Sequence, residues 1–392
     1  MIQNIGLQKT GLVLTGGGAR AAYQAGVLKG IADIVGDGFG DTFPAKILAG
    51  SSAGAINCAF LAARSESFTA AVEALCRLWS ELRTEQVIRS DFFSLSALGI
   101  RWLRDLSLGG MLGNSRSTFL LDARPLGEFL AGQIDFRAIS NNLRNGALQG
   151  LAISATNYLT GATIVFFDGA PEVQPWVRRS RIAQRATLTL RHVLASAAIP
   201  VFFQPVKLQN SFYGDGCVRL TTPLSPAIHL GADRILAIGI RHQPTDQQTV
   251  ALNQKGVMSD VSLIDIAGVM LNAAFLDALE LDVERMQRIN ETAAGLARDG
   301  KEHPSGLREI PLLVIRPSQD LGTLASDEFE HFSNMLRYLL RGIGASMQKG
   351  WDLLSYLAFD EAYTQQLINL GRADAMAQRA EIEQFFSLPA TP

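Results

Sequence analysis

The chain has 392 residues, with 35 Lys and Arg against 37 Asp and Glu and a formal net charge of −2. That balance argues against a nucleic-acid binder, which carries a strong basic excess, and the length is enough to bury a sizeable core. The apolar fraction of 47% is high for a soluble chain and fits a parallel sheet covered on both faces.

The first residues, Met1 to Gly6, lack a charged n-region and an apolar h-region, so no signal peptide is expected. A short apolar strand over 11–15 runs into Gly16-Gly17-Gly18 and then into a segment with Ala25, Leu28, Ile31 and Ile34 at helical spacing. A bare glycine loop that opens a helix points backbone N–H groups outward, and the helix dipole adds positive potential. Such a loop suits a phosphate or a developing oxyanion. Arg20, in the first turn, is placed to orient the loop or to face an anion.

A second strand over 46–50 leads into Gly50-Ser51-Ser52-Ala53-Gly54 and a small-residue run, Ala55 to Ala63, that reads as helix. Strand, Gly-x-Ser-x-Gly, helix is the pattern of a nucleophile elbow. Ser52 is the candidate nucleophile, and Gly50 and Gly54 leave room for the tightly turning backbone. The bland alternative is a strand–helix junction with Ser52 as its cap. The stretch 47–63 is the longest nearly apolar one, but Ser51, Ser52 and Asn57 interrupt it, so no membrane span is expected.

The segment 92–113 mixes Phe, Leu, Trp and Met with Arg101 and Arg104 and carries Gly109-Gly110. It reads as a packing helix with snorkelling arginines or as a lid or interfacial helix. Strands are expected over 150–157, 163–167, 201–208, 234–240 and 311–316. The run Arg178-Arg179-Ser180-Arg181, with Arg185 and Arg191, reads as a solvated face, with a headgroup-phosphate contact as the sharper alternative. Phe212-Tyr213-Gly214-Asp215-Gly216-Cys217 reads as a turn holding one carboxylate between glycines. Asp215 is a candidate general base if burial lifts its pKa or if the loop and helix lower that of the serine. From Asp327 onward helical spacing returns, at Phe329 to Leu340, from Trp351, and from Arg372 to Phe386. The cysteines are Cys58, Cys76 and Cys217, an odd number without metal-ligand spacing, which suggests a reducing compartment and no disulfide framework.

Gly16-Gly17-Gly18-Ala19-Arg20, Gly50-Ser51-Ser52-Ala53-Gly54 and Asp215-Gly216, in this order, resemble the motifs of the patatin-like phospholipases. The segment Ala195 to Pro205 resembles that family's approach to its aspartate. The resemblance covers about residues 9 to 240. It implies a Ser52–Asp215 dyad without histidine and an oxyanion hole from Gly16, Gly17 and Gly18, with Arg20, Gly50, Gly54 and Gly216 in support. The substrates it implies are phospholipids or other fatty-acyl esters, with no metal and no organic cofactor. It also implies a three-layer α/β sandwich with a mostly parallel central sheet. The chain departs from the family in having Ala21 and Cys217 at positions where glycine, or glycine or alanine, is usual; both are small, so the backbone path is expected to survive.

The expected organisation is a catalytic core over 9–240, a helix and strand over 241–320 that complete the domain, and a helical cap over 321–392. A cytoplasmic location with peripheral membrane contact is expected, and the sequence is silent on oligomeric state. Four alternatives stand beside the hydrolase reading. One is a triad that recruits His242 or His229, with His192 also near the site. Another is acyl transfer or thioester cleavage by the same dyad. The third is a non-catalytic lipid-binding scaffold. The last is a dinucleotide site at Gly16-Gly17-Gly18, which lacks the acidic residue expected at the end of the second strand.

Overall fold

The structure is a computed structural model that describes residues 9–39, 44–88, 121–243, 246–255, 263–298, 307–327, 337 and 351–387. The segment 92–113 and nearly all of the helix read at 329–340 lie outside the described residues.

Ten strands form one sheet among the described residues. They are β1 (Thr10–Leu14), β2 (Ile47–Ser51), β3 (Gly150–Asn157), β4 (Thr163–Gly169), β5 (Val177–Arg178), β6 (Arg181–Arg185), β7 (Val206–Leu208), β8 (Ser211–Asp215), β9 (Arg234–Ile238) and β10 (Leu312–Ile315). The main order is β10-β9-β1-β2-β3-β4-β6-β5, and its first five members are mutually parallel. β1, β2, β3 and β9 are buried throughout, as strands covered on both faces must be. Alternation then splits the core in two. Leu12, Leu14 and Leu48 join the helices Ala22–Phe39, Ala53–Ala62 and Phe68–Glu81. Val13, Ile47 and Ala49 face the opposite layer, with Leu279 and Val283 of the helix Asp277–Arg298. The fold is therefore an α/β sandwich of helix, mostly parallel sheet and helix, with further helices at Trp351–Leu357, Glu361–Ala377 and Arg379–Ser387. Among the described residues no helix is long and apolar enough to cross a membrane.

The centre of the sheet positions the site. β4 runs antiparallel along one edge of β3 over nearly its whole length, from Gly150 to Thr156. The other edge is shared by two strands. β2 occupies it from Gly150 to Ser154, ending at Ser51, and β8 enters from the opposite direction and pairs Ala155 with Asp215. The end of β2 and the end of β8 therefore meet head to head beside Ser154 and Ala155.

Two expectations need correction. The strand read over 201–208 shrinks to Val206–Leu208. Val201 follows a proline and has φ 71, and Pro205 has no N–H to give a ladder. The segment read as a turn at Phe212–Asp215 is instead strand β8, and only Gly216–Val218 turns, as a short 3-10 helix.

Candidate active site

Ser52 stands between β2 and the helix Ala53–Ala62 with φ 53 and ψ −129. A non-glycine residue in that region is strained, by about 1–3 kcal/mol, and needs surroundings that hold it. The surroundings are visible on both sides. Its N–H donates to Ser196 Oγ at 2.9 Å, and Ser196 Oγ donates on to Ser154 O at 2.6 Å. Its carbonyl accepts from Ala55 N at 2.9 Å, the first bond of the helix. The bend also needs glycine beside it. A Cβ on Gly54 would lie 2.1 Å from Leu14 O, and one on Gly50 2.5 Å from Gly54 O.

The head-to-head meeting of β2 and β8 puts the Ser52 hydroxyl against Asp215. Ser52 Oγ donates to Asp215 Oδ2 at 2.5 Å. The second carboxylate oxygen accepts from Cys217 N at 2.9 Å. The backbone of Asp215 is pinned as well, by Thr156 Oγ1 donating to its carbonyl at 2.7 Å and by its N–H donating to Ala198 O at 2.9 Å. Asp215 is fully buried. Burial raises its pKa to about 7, against the pull of the bonds from Ser52 and Cys217. A carboxyl of that pKa is an effective proton acceptor near neutrality. Gly216 passes tightly over β3, where a Cβ would lie 2.1 Å from Ser154 O.

The glycine loop runs over the serine. A Cβ on Gly16 would fall 2.3 Å from Ser52 Cβ and 2.6 Å from Cys217 Sγ. The Cys217 thiol donates to Ser51 Oγ at 3.3 Å. Gly18 has φ 58, opens the 3-10 turn Gly18–Ala21 and lines the cavity beside Ser52. Arg20 points away from the serine. Its Nε donates to Ser355 Oγ at 2.7 Å, its Nη2 pairs with Asp352 Oδ1 at 3.0 Å, and its guanidinium lies over the Tyr356 ring. It therefore ties the loop to the helix Trp351–Leu357 rather than presenting a charge to a ligand.

A buried amide network, absent from the sequence reading, joins the same parts. Trp79 Nε1 donates to Asn57 Oδ1 at 2.8 Å. Asn57 Nδ2 donates to Gln24 Oε1 at 2.9 Å and to Ala21 O at 3.2 Å. Gln24 Nε2 donates to Thr15 O at 2.9 Å, just ahead of the glycines. Elbow helix, glycine loop and cavity wall are thereby locked together.

The cavity that reaches Ser52 is a narrow slot of about 30 Å³. Ile56, Leu78, Trp79, Leu82, Val87, Leu130, Phe203 and Phe359 line it, and Ser52 supplies its hydroxyl. Its walls are apolar and its one reactive group is a hydroxyl, the chemistry that suits a hydrocarbon chain ending in a polar, reacting carbon, but at this volume the walls must part before such a chain can enter.

The described histidines are engaged elsewhere. His192 caps its own helix through Thr189, His229 stacks on Trp176, and His242 Nδ1 lies 3.0 Å from Pro317 O. None of the three is brought to Ser52 or Asp215. Among the described residues no group of three or more His, Cys, Asp or Glu could hold a metal ion.

Against known families, the patatin-like phospholipase family model matches residues 12–228. A search of curated proteins gives no match. Among solved structures, a human GIVD cytosolic phospholipase A2 in complex with methyl gamma-linolenyl fluorophosphonate is 14% identical, with 98% of this chain and 59% of that chain covered and a TM-score of 0.45. VipD from Legionella pneumophila is 12% identical, covering 98% and 93%, with a TM-score of 0.32. ExoU of Pseudomonas aeruginosa, in complex with SpcU, is 15% identical, covering 95% and 77%, with a TM-score of 0.27. The chain spans about three fifths of the length of the human phospholipase chain.

Proposed function

The chain belongs to the patatin-like phospholipase family, and from that premise we propose that it is a serine hydrolase of fatty-acyl esters, phospholipids among them, working through a Ser52–Asp215 dyad. The observation that carries the reading is the 2.5 Å hydrogen bond from a strained, buried serine to a buried carboxylate whose pKa lies near 7.

In this reading the apolar walls of the slot part to admit the acyl chain, with its carbonyl carbon at Ser52 Oγ. Asp215 takes the serine proton as Oγ attacks, and the tetrahedral oxyanion is held by backbone N–H groups of the Gly16–Gly18 loop. Gly16 supplies the close approach, a Cβ there falling 2.3 Å from Ser52 Cβ, and Gly18 lines the cavity beside Ser52. Collapse of the intermediate breaks the ester bond, and the departing alcohol takes the proton from Asp215. Asp215 then accepts a proton from water, which attacks the acyl-Ser52 ester, and Ser52 leaves reprotonated with the free acid as product. An acceptor alcohol or thiol in place of water would give acyl transfer by the same steps. The same reading takes 9–240 as catalytic core, 241–320 as its completion through β10, and 321–392 as a cap whose Asp352 and Ser355 hold Arg20.

The test is ester hydrolysis over an acyl-length series together with labelling by a fluorophosphonate probe. Wild type is expected to turn over esters and take the label, and Ser52→Ala to lose at least ~10³-fold in turnover and all labelling while staying folded. A folded wild-type protein that neither labels nor cleaves any ester would favour the inert scaffold.

A further inference from the structure

Beyond Asn157 at the end of β3, the chain makes a tight turn that carries Leu159 out into solvent. Tyr158, Leu159 and, on the neighbouring β8, Phe212 are 44%, 80% and 52% exposed. Tyr158 N donates to Phe212 O at 2.9 Å, which sets these two residues side by side, with the tip of the Tyr158 ring lying back against Gly214 and Leu159 next along the turn. The turn is held rigid. Asn157 Oδ1 accepts from Leu159 N at 2.8 Å, Gly161 N donates to Asn157 O at 2.8 Å, and Gly161 takes φ 65. A held turn that exposes Leu159 near the half-exposed Tyr158 and Phe212 presents a small apolar patch.

The charge around this surface is one-sided. Arg219 donates to Gly161 O at 3.0 Å, Lys207 pairs with Phe212 across β7 and β8, and Ser180, next to Arg179, accepts from Thr163 N. All three cations are exposed, and none is in an ion pair among the described residues. Residues 150–222 hold seven Lys and Arg against three Asp and Glu, one of them the buried Asp215, in a chain whose net charge is −2. Exposed apolar side chains with exposed cations around them match the chemistry of an anionic bilayer, hydrocarbon beneath phosphate. The surface also adjoins the site, since Phe212 stands three residues from Asp215 on the same strand, about 10 Å.

We propose that the turn at 158–161, with Phe212 and the ring of Arg179, Lys207 and Arg219, is a docking surface for anionic lipid bilayers that seats the catalytic edge of the sheet on the membrane. The proposal rests on the lipid-ester reading for its purpose, but the binding it predicts is measured without turnover.

The experiment is flotation of the full chain with vesicles of phosphatidylcholine, with and without about one third phosphatidylglycerol, alongside hydrolysis of a soluble short-chain ester. Wild type is expected to bind the anionic vesicles at least ~10-fold more tightly than the neutral ones, with loss at high salt. Leu159→Asp with Phe212→Ser is expected to weaken that binding by ~10-fold or more. Lys207→Glu with Arg219→Glu is expected to abolish the preference for anionic lipid. Soluble-ester turnover stays within about twofold in both variants if the surface serves docking alone. Absence of wild-type binding, equal binding to neutral vesicles, or full binding by the Leu159→Asp, Phe212→Ser variant overturns the proposal. Wild-type capture of an acidic protein without vesicle binding overturns it in favour of a protein partner. Vesicle binding without soluble-ester turnover supports the surface while counting against the hydrolase reading, which separates the two failures.

Discussion

Two buried carboxylates, one in each half of the sandwich, have similar surroundings and different chemistry. Asp282 lies under the β9 side, on the helix Asp277–Arg298, with its pKa raised to about 6, and Asp215 lies at the β2–β8 junction with a pKa of about 7. Burial is the main cause in both. Both accept a backbone N–H, from Leu224 at 3.0 Å and from Cys217 at 2.9 Å. The difference is what faces the remaining oxygen. Asp282 has Arg285 one helical turn along, at 3.5 Å. Asp215 has a strained serine hydroxyl at 2.5 Å. A raised pKa therefore marks burial, and the neighbouring donor decides whether a buried carboxylate can act as a base or only holds a chain segment in place.

The contrast breaks most directly when the same change is made at both positions. Asp215→Asn is expected to lower ester turnover by ~10³-fold, while Asp282→Asn stays within about threefold of wild type. Stability is expected to move the opposite way. The folded pKa of Asp215 is raised above its unfolded value, so the folded state holds more protons between about pH 4 and pH 7 and loses stability as pH rises through that window. Above pH 7 the buried charge is a burden, and Asp215→Asn should melt at a higher temperature than wild type there, with the gain vanishing near pH 4. Equal loss of turnover in both variants would erase the distinction. A smaller effect is expected at the loop. Gly16→Ala places a methyl group 2.3 Å from Ser52 Cβ, and a ~10²-fold loss in turnover with retained circular dichroism would locate the damage in the approach of the loop. Smallest in turnover is Asn57→Ala, which strands the Trp79 indole N–H and the Gln24 amide in the core. Each orphaned group costs about 1–3 kcal/mol, so the expected outcome is a melting temperature lowered by several degrees, while turnover of short esters falls less than in Gly16→Ala.

Much of this was legible in the sequence. β1 and β2, with their glycine turns and following helices, announce themselves through apolar runs that stop at small residues, and the strand Gly150–Asn157 has the bounds expected for it. Ser52 and Asp215 could be nominated as candidates from their glycine frames, but their meeting could not. It depends on β2 and β8 sharing one edge of β3, a non-local pairing that no local spacing encodes. β8 was hidden because Tyr213-Gly214-Asp215-Gly216 has turn composition, although Gly214 sits in the strand against the Tyr158 hydroxyl. Ser196 and Asn57 gave no signal because a serine in an alanine-rich helix and an asparagine in an apolar one look incidental. Their roles arise from which backbone groups tertiary packing leaves in need of partners. Arg20 follows the loop directly in sequence, but its partners Asp352 and Ser355 lie more than 330 residues away.

The most direct test of the central claim, that Asp215 takes the Ser52 proton, is the pH dependence of acylation, read as the rate of fluorophosphonate labelling from pH 5 to pH 9. The account predicts a wild-type rate that rises through a single ionisation near pH 7 and levels above it, with Asp215→Asn slow and flat across the range. A flat wild-type profile, or an Asp215→Asn protein that keeps the same rate and the same inflection, would contradict it.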